Sequence, residues 1–174
     1  PGGGTYSGTG VSAGMFNPAT AGAGSKTITY SYTDGNGCSN SCTFTITVNA
    51  LPTATISGTL SFCTGSSTTL TASGAGGGSY LWDDLSTNAM RTVSAGGTYT
   101  VQVTDNNGCT DTETATVTEN PLPTVSCPTY APVCPGSPAF ALSGGSPGGG
   151  SYSGPGVSAG MFDPTTAGVG VHSI

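Results

Sequence analysis

Six cysteines, Cys38, Cys42, Cys63, Cys109, Cys127 and Cys134, are the side chains of this 174-residue chain best suited to chemistry. Thiols at such density either close disulfides or hold a metal such as zinc. The spacings Cys38-x3-Cys42 and Cys127-x6-Cys134 match no usual zinc-finger pattern. Residues 51–120 contain only two thiols, Cys63 and Cys109, too few for a zinc site of their own. Disulfides are therefore the expected chemistry, and an oxidising extracellular setting is the expected compartment.

The remaining candidates are weaker. Asp83, Asp84, Asp105 and Asp111 could offer oxygen ligands to calcium, but none falls in the dense acidic spacing of an EF-hand loop. Asp34 and Asp105 also suit turns ahead of Asn-Gly. Trp82, the single tryptophan, reads either as a core residue or as an exposed platform for sugar rings; an isolated tryptophan favours the core. His172 has Lys26 in the corresponding place of a second copy, so a catalytic base, metal ligand or isopeptide lysine is not expected there, and both read as solvent-facing. The Gly-Gly-Gly runs lack the Lys-Ser/Thr ending of a phosphate loop. No serine sits in a nucleophile motif, so no enzyme is expected and no cofactor is required.

What positions these residues is a repeat. Residues 1–28 recur at 147–174 with 20 of 28 positions identical at an offset of 146 and no gap. Repetition at a fixed period is the signature of array architectures. A weaker repeat lies inside it. At an offset of 71, Asp34-Gly35-Asn36-Gly37-Cys38 matches Asp105-Asn106-Asn107-Gly108-Cys109, Leu51-Pro52-Thr53 matches Leu122-Pro123-Thr124, and Cys63 matches Cys134. The chain therefore reads as two alternating domain types of about 71 and 75 residues. Residues 1–50 are the C-terminal part of a first-type repeat, 51–120 a complete second-type repeat, and 121–174 the N-terminal part of the next first-type repeat.

Alternating apolar residues set the secondary structure. Ile28, Tyr30 and Tyr32, then Phe44, Ile46 and Val48, then Tyr99, Val101 and Val103 each mark one buried strand face. Further strands are expected at Thr53–Ser57, Thr68–Ser73, Tyr80–Asp83, Met90–Val93, Thr98–Asp105 and Asp111–Glu119. Asn36-Gly37 predicts a type I′ hairpin turn. No segment has a helical apolar period, so essentially no α-helix is expected. Short strands joined by glycine-rich turns in about 70 residues predict an all-β fold of immunoglobulin-like β-sandwiches. The joints at Asn49–Pro52 and Asn120–Pro123 are short and carry proline, which predicts a semi-rigid extended array.

The repeat also suggests thiol partners. Cys63 and Cys109 are expected to bridge within one domain, although the loops carrying them lie at opposite ends of an ideal sandwich. By alignment Cys38 pairs with a Cys134-type residue, and Cys42 with a Cys127-type residue, in adjoining repeat halves. Trp82, Tyr99, Val101, Val103, Ile28, Tyr30 and Tyr32 form the expected core.

Composition excludes several partners. The net charge is −6 and only Lys26 and Arg91 are basic, which argues against nucleic acid. No apolar run approaches a membrane span.

The stretch 96–109, the Cys-Thr-Gly-Ser-Ser-Thr-Thr-Leu-Thr of 63–71 and the Tyr-Ser-Gly-Pro-Gly-Val of 152–157 resemble immunoglobulin- or PKD-like repeats of giant Bacteroidota cell-surface proteins, including SprB-like gliding adhesins. The resemblance implies type IX export, cell-surface display and a stalk or filament role in adhesion or gliding. It carries over no binding residue. Neighbouring repeats, and surface polysaccharide, are the implied partners. The rival expectations are carbohydrate-binding repeats of a secreted enzyme, favoured by a row of exposed aromatics, and a homopolymeric pilus or sheath subunit.

Overall fold

Threonine and valine alternation becomes strand over most of residues 24–120 in a computed structural model that describes residues 3–174. The chain divides into two compact units, Pro1–Asn120 and Pro121–Ile174.

In residues 1–50, β1 (Thr5–Ser7), β2 (Val11–Ser12), β3 (Met15–Phe16), helix α1 (Pro18–Ala21), β4 (Gly24–Thr33) and β5 (Ser39–Val48) follow one another. β4 and β5 pair along their whole length, from Gly24↔Val48 to Thr33↔Ser39, and β1 adds to the far edge of β4 through Tyr6↔Tyr30. Ile28 is buried, whereas Tyr30 and Tyr32 are half-buried. β2 and β3 form a separate two-residue hairpin.

One expectation needs correction here. The hairpin at Asn36-Gly37 is not type I′, because Gly37 has φ +84 while Asn36 is not left-handed. Asp34 instead organises a longer loop: its Oδ1 accepts from the N–H of Asn36 (2.9 Å) and of Cys38 (2.8 Å), and its own N–H donates to the Cys38 carbonyl. An aspartate that bonds two backbone donors outcompetes the tighter turn. Among the described residues, helix is confined to the single turn α1 and one further turn near the C-terminus, in keeping with the expectation of essentially no α-helix. Asn17 caps α1, its Oδ1 accepting from the N–H of Ala19 at 3.0 Å and of Thr20 at 3.3 Å, with Pro18 in the first turn. Cap and proline together stabilise a single turn without any apolar period.

Residues 51–120 form a sandwich. Its strands are β6 (Thr55–Ser57), β7 (Ser61–Cys63), β8 (Thr68–Ser73), β9 (Ser79–Trp82), β10 (Met90–Val93), β11 (Gly97–Thr104) and β12 (Thr110–Asn120). One sheet runs β10-β8-β6 and the other β7-β12-β11-β9. The first strand is thus split, β6 pairing antiparallel with β8 and β7 pairing parallel with β12. Sequence reading missed β7, whose Ser-Phe-Cys is too short to show alternation. Between the sheets lie Phe62, Leu70, Ala72, Trp82, Val93, Val101 and Val117, with Tyr80 and Tyr99 packed against them; Val103 is buried beside Ala54 and Ala75.

In residues 121–174, β13 (Phe140–Ala141), β14 (Val157–Ser158) and β15 (Met161–Phe162) form a sheet in the order β13-β15-β14, followed by helix α2 (Pro164–Ala167). Asp163 caps α2 as Asn17 caps α1. Ser126 bridges Ser146, and Tyr130 donates its hydroxyl proton to the Ser143 carbonyl (2.8 Å) while accepting from the Ser143 N–H (2.7 Å).

Candidate functional site

The thiols are the first question. All six cysteines are free in the structure, five exposed and Cys109 half-buried. The expected Cys63–Cys109 bridge does not form, and the topology shows why. Cys63 sits beside Asn120, at the far end of β12, where the Thr64 N–H donates to the Asn120 carbonyl at 2.8 Å. Cys109 immediately precedes Thr110, the first residue of β12. Eleven strand residues therefore lie between the two thiols, about 36 Å of extended chain. A disulfide needs Cα atoms within about 7 Å. The two cysteines occupy opposite poles of the sandwich.

Each pole is well defined. At the leading pole the Ala54 N–H donates to Asp111 Oδ2 at 2.8 Å, and Asn106 Nδ2 donates to the Gly76 carbonyl at 3.1 Å. There Asp105 Oδ1 accepts from the N–H of Asn107 and of Cys109, both at 2.8 Å, repeating the Asp34 loop that holds Cys38. At the trailing pole Cys63 opens a turn in which the Ser66 N–H donates to its carbonyl at 2.9 Å. Cys134 opens the same turn, with Ser137 donating to it at 3.0 Å. Cys42 lies on β5 opposite Tyr30, and Cys127 follows Ser126 of the Ser126–Ser146 bridge.

The acidic residues raised for calcium have protein partners. Arg91 reaches Asp83 (2.6 Å) and Asp84 (3.1 Å) while its guanidinium lies 5.6 Å from the Trp82 ring and 4.8 Å from the Tyr99 ring. Among the described residues no group of three or more His, Cys, Asp or Glu could hold a metal ion. His172 and Lys26, expected to face solvent, are both half-buried; His172 Nε2 lies 3.0 Å from the Gly168 carbonyl and its ring 6.3 Å from Phe162.

These contacts make stability depend on acid. Burial pushes the Asp83 carboxyl up, but the Arg91 hydrogen bond and the Thr100 N–H more than offset it, so its pKa falls below 3.8. The Ser86 hydroxyl and N–H lower that of Asp84, and the Ala54 and Thr112 N–H groups lower that of Asp111. A carboxyl depressed in the folded state contributes stability that is present above its unfolded pKa and lost as pH falls through the folded one. The urea midpoint of residues 51–120 in the full chain is expected to be flat above about pH 5 and to drop below about pH 4. Asp111→Asn should flatten that drop; an unchanged profile would show that the Ala54 contact contributes nothing.

The two copies of the long motif differ in what covers them. Tyr6 is 47% exposed and stacks on Tyr30 (5.0 Å) and Phe44 (6.4 Å) in a face open to solvent. Its counterpart Tyr152 accepts from the Gly145 N–H at 2.8 Å and is half-buried. Phe16 is half-buried on a hairpin with a vacant outer edge, whereas Phe162 is 8% exposed because Phe140 of β13 pairs there, 5.7 Å away ring to ring. Residues 121–146 thus cover the copy of the motif at 147–174. In 121–174 a cleft of about 1070 Å³ opens between residues 125–153 and 162–174 instead.

That geometry, a ten-residue hairpin with one apolar face and a capped turn ahead of it, carries a recognisable sequence. Residues 9–48 match the HYR domain. The HYR match runs from the β2–β3 hairpin to the end of β5 and covers well under half of the chain. HYR domains are immunoglobulin-like extracellular repeats, so residues 9–48 are similar to a repeat of this cell-surface, adhesion-like kind. No curated protein matches the chain. No helix among the described residues is long and apolar enough to cross a membrane.

Proposed function

We propose that this chain is a load-bearing segment of the stalk or filament of an extracellular repeat adhesin. One observation carries the reading: residues 51–120 begin at one pole of their sandwich and end at the other, with β7 and β12 parallel between them. Tension applied at Leu51 and Asn120 loads the β7–β12 hydrogen bonds in shear, so several must break together. An enzyme accessory or a globular binding module has no need of that arrangement.

The complementary copies support a continuous array. The open face of residues 1–50 takes a segment like 121–146, and the cleft of 121–174 takes a hairpin like β4–β5. Neighbouring repeats are therefore the chain's main partners. Display outside the outer membrane through type IX export, and a role in adhesion or gliding as in SprB-like proteins, follow from the sequence resemblance. The burial of Trp82 and the packing of Tyr80 and Tyr99 against it favour the stalk over a sugar-binding module. The Tyr6–Tyr30–Phe44 face is the one feature that favours sugar, and Tyr152 shows the same motif used as a packing seam.

Pulling single molecules of the full chain tests this. Residues 51–120 should yield at one discrete force peak, releasing about 20 nm of chain. Thr118→Pro removes only the Thr118 N–H to Leu60 carbonyl bond, since β12 pairs with β11 no further than Val117, and should lower that force. Smooth extension without a peak, or saturable polysaccharide binding abolished by Tyr6→Ala, overturns the stalk.

A further inference from the structure

The six free thiols follow a polar order. Each repeat type carries one cysteine in an Asp-x-Asn-Gly-Cys loop, Cys38 or Cys109, and one in a Cys-x-Gly-Ser turn, Cys134 or Cys63. In residues 51–120 the first loop is at the leading pole and the second turn at the trailing pole. The first-type repeat obeys the same rule. Cys38 lies between β4 and β5, ten residues before Val48, the last residue of β5. Thr165 of α2 donates its hydroxyl proton to the carbonyl of Pro135, next to Cys134, at 2.8 Å. The equivalent helix α1 ends at Ala21, three residues before Gly24, which pairs with Val48. A Cys134-type turn therefore sits at the Val48 end, the trailing pole.

From Val48 to Ala54, which is anchored beside Cys109 through Asp111, the chain has six steps and spans at most about 20 Å. A trailing cysteine and the next leading cysteine thus converge on one short proline-bearing joint, while the two cysteines of a single repeat stand a strand apart.

We propose that disulfides close the joints of the array: the Cys-x-Gly-Ser cysteine of each repeat bonds to the Asp-x-Asn-Gly-Cys cysteine of the repeat that follows. Cys109 then pairs with a Cys134-type residue of the repeat before it, and Cys63 with a Cys38-type residue of the repeat after it. Cys42 and a Cys127-type residue remain a pair within each first-type repeat. This rests on the array reading and adds what fixes its joints. The loops hold the thiols in place: Asp34 and Asp105 each bond the cysteine N–H at 2.8 Å. Formation needs a disulfide oxidant, either a low-molecular-weight disulfide or an oxidised dithiol oxidoreductase. One cysteine thiolate attacks it, forming a mixed disulfide and releasing one thiol. The second cysteine thiolate then displaces the other, so two thiols lose two protons and two electrons and the oxidant leaves as two thiols. Bonded joints transmit load past the linker and restrict rotation between repeats.

The test compares the full chain with the full chain followed directly by a second copy of residues 29–174, in which residues 147–174 stand in for 1–28. Both are oxidised with glutathione disulfide, isolated as monomers and cleaved with chymotrypsin and a glutamate-specific protease, which together separate the peptides carrying Cys63, Cys109, Cys127 and Cys134 and keep Cys38 with Cys42. In the longer chain, Cys63 peptides linked to Cys38/Cys42 peptides, and Cys134 peptides linked to Cys109 peptides, are expected; the shorter chain should contain neither pair. A Cys63–Cys109 link in folded protein overturns the proposal. Free Cys63, Cys109 and Cys134 in a longer chain whose residues 121–174 gain hydrogen-exchange protection overturn the joint disulfides and leave the array standing. Free thiols with no gain in protection overturn both.

Discussion

Trp82→Ala is expected to unfold residues 51–120, or to leave them at the edge of unfolding, while residues 1–50 keep their hairpin. The indole is 1% exposed and packs with Phe62, Leu70, Val93, Val101 and Val117 between the two sheets. Its backbone is fixed by pairing with Val101, and its Nε1–H donates to the Asn88 carbonyl at 2.9 Å. Removing a buried tryptophan costs about 3–5 kcal/mol. A domain of about 70 residues has only about 4–10 kcal/mol in total. The Asn88 carbonyl loses its donor as well, and Arg91 loses one of the two rings it stacks on. Far-ultraviolet circular dichroism in urea reads the loss, because the tryptophan signal itself disappears with the mutation. Trp82→Phe keeps most of the apolar volume and should sit between the two. A Trp82→Ala midpoint equal to that of the unmodified chain would return Trp82 to the role of surface platform.

How much of this was legible beforehand varies with the physical signal. β8 and β10 run Thr68–Ser73 and Met90–Val93, as period-two alternation indicates, because one face of each meets the core. The other long strands differ from the sequence reading by one or two residues, where pairing frays into turns. α1 and α2 escaped a search for apolar periodicity, yet Asn17-Pro18 and Asp163-Pro164 spell out a cap followed by a first-turn proline. The turn at Asn36 was misread because a dipeptide rule ignores Asp34, whose carboxylate captures two backbone donors. The cysteine pairing failed for a deeper reason. Alignment shows that Cys63 and Cys109 recur, an ideal sandwich already puts their loops at opposite ends, and the run of β12 holds them there. Recurrence within a repeat was read as a bond within a repeat, and a periodic chain satisfies it equally well from one repeat to the next.

Gly74→Ala should be the most damaging single-methyl change in the second-type repeat. Gly74 follows β8 with φ +107, and a Cβ there would fall on the Thr53 carbonyl and within 3.3 Å of Ala54 Cα. Backbone on both sides leaves no flexible side chain to yield. The left-handed strain and the displaced strand together are expected to cost about 2–4 kcal/mol. Gly97→Ala is the matched control, since its φ is ordinary and nothing lies within 4 Å of the added methyl; its effect should stay within about 0.5 kcal/mol. The two substitutions remove the same glycine flexibility from the unfolded chain, so their difference isolates the folded-state contact. Gly74→Ala has a second signature that a general loss of stability lacks. Pushing residues 53 and 54 outward breaks the Ala54 N–H to Asp111 bond, the main cause of the low Asp111 pKa. In the folded fraction, carboxyl NMR should therefore show Asp111 titrating closer to 3.8, with Asp83 and Asp84 unmoved at the far side of the sandwich. An Asp111 titration identical to that of the unmodified chain would mean that Gly74 does not seat the leading strand.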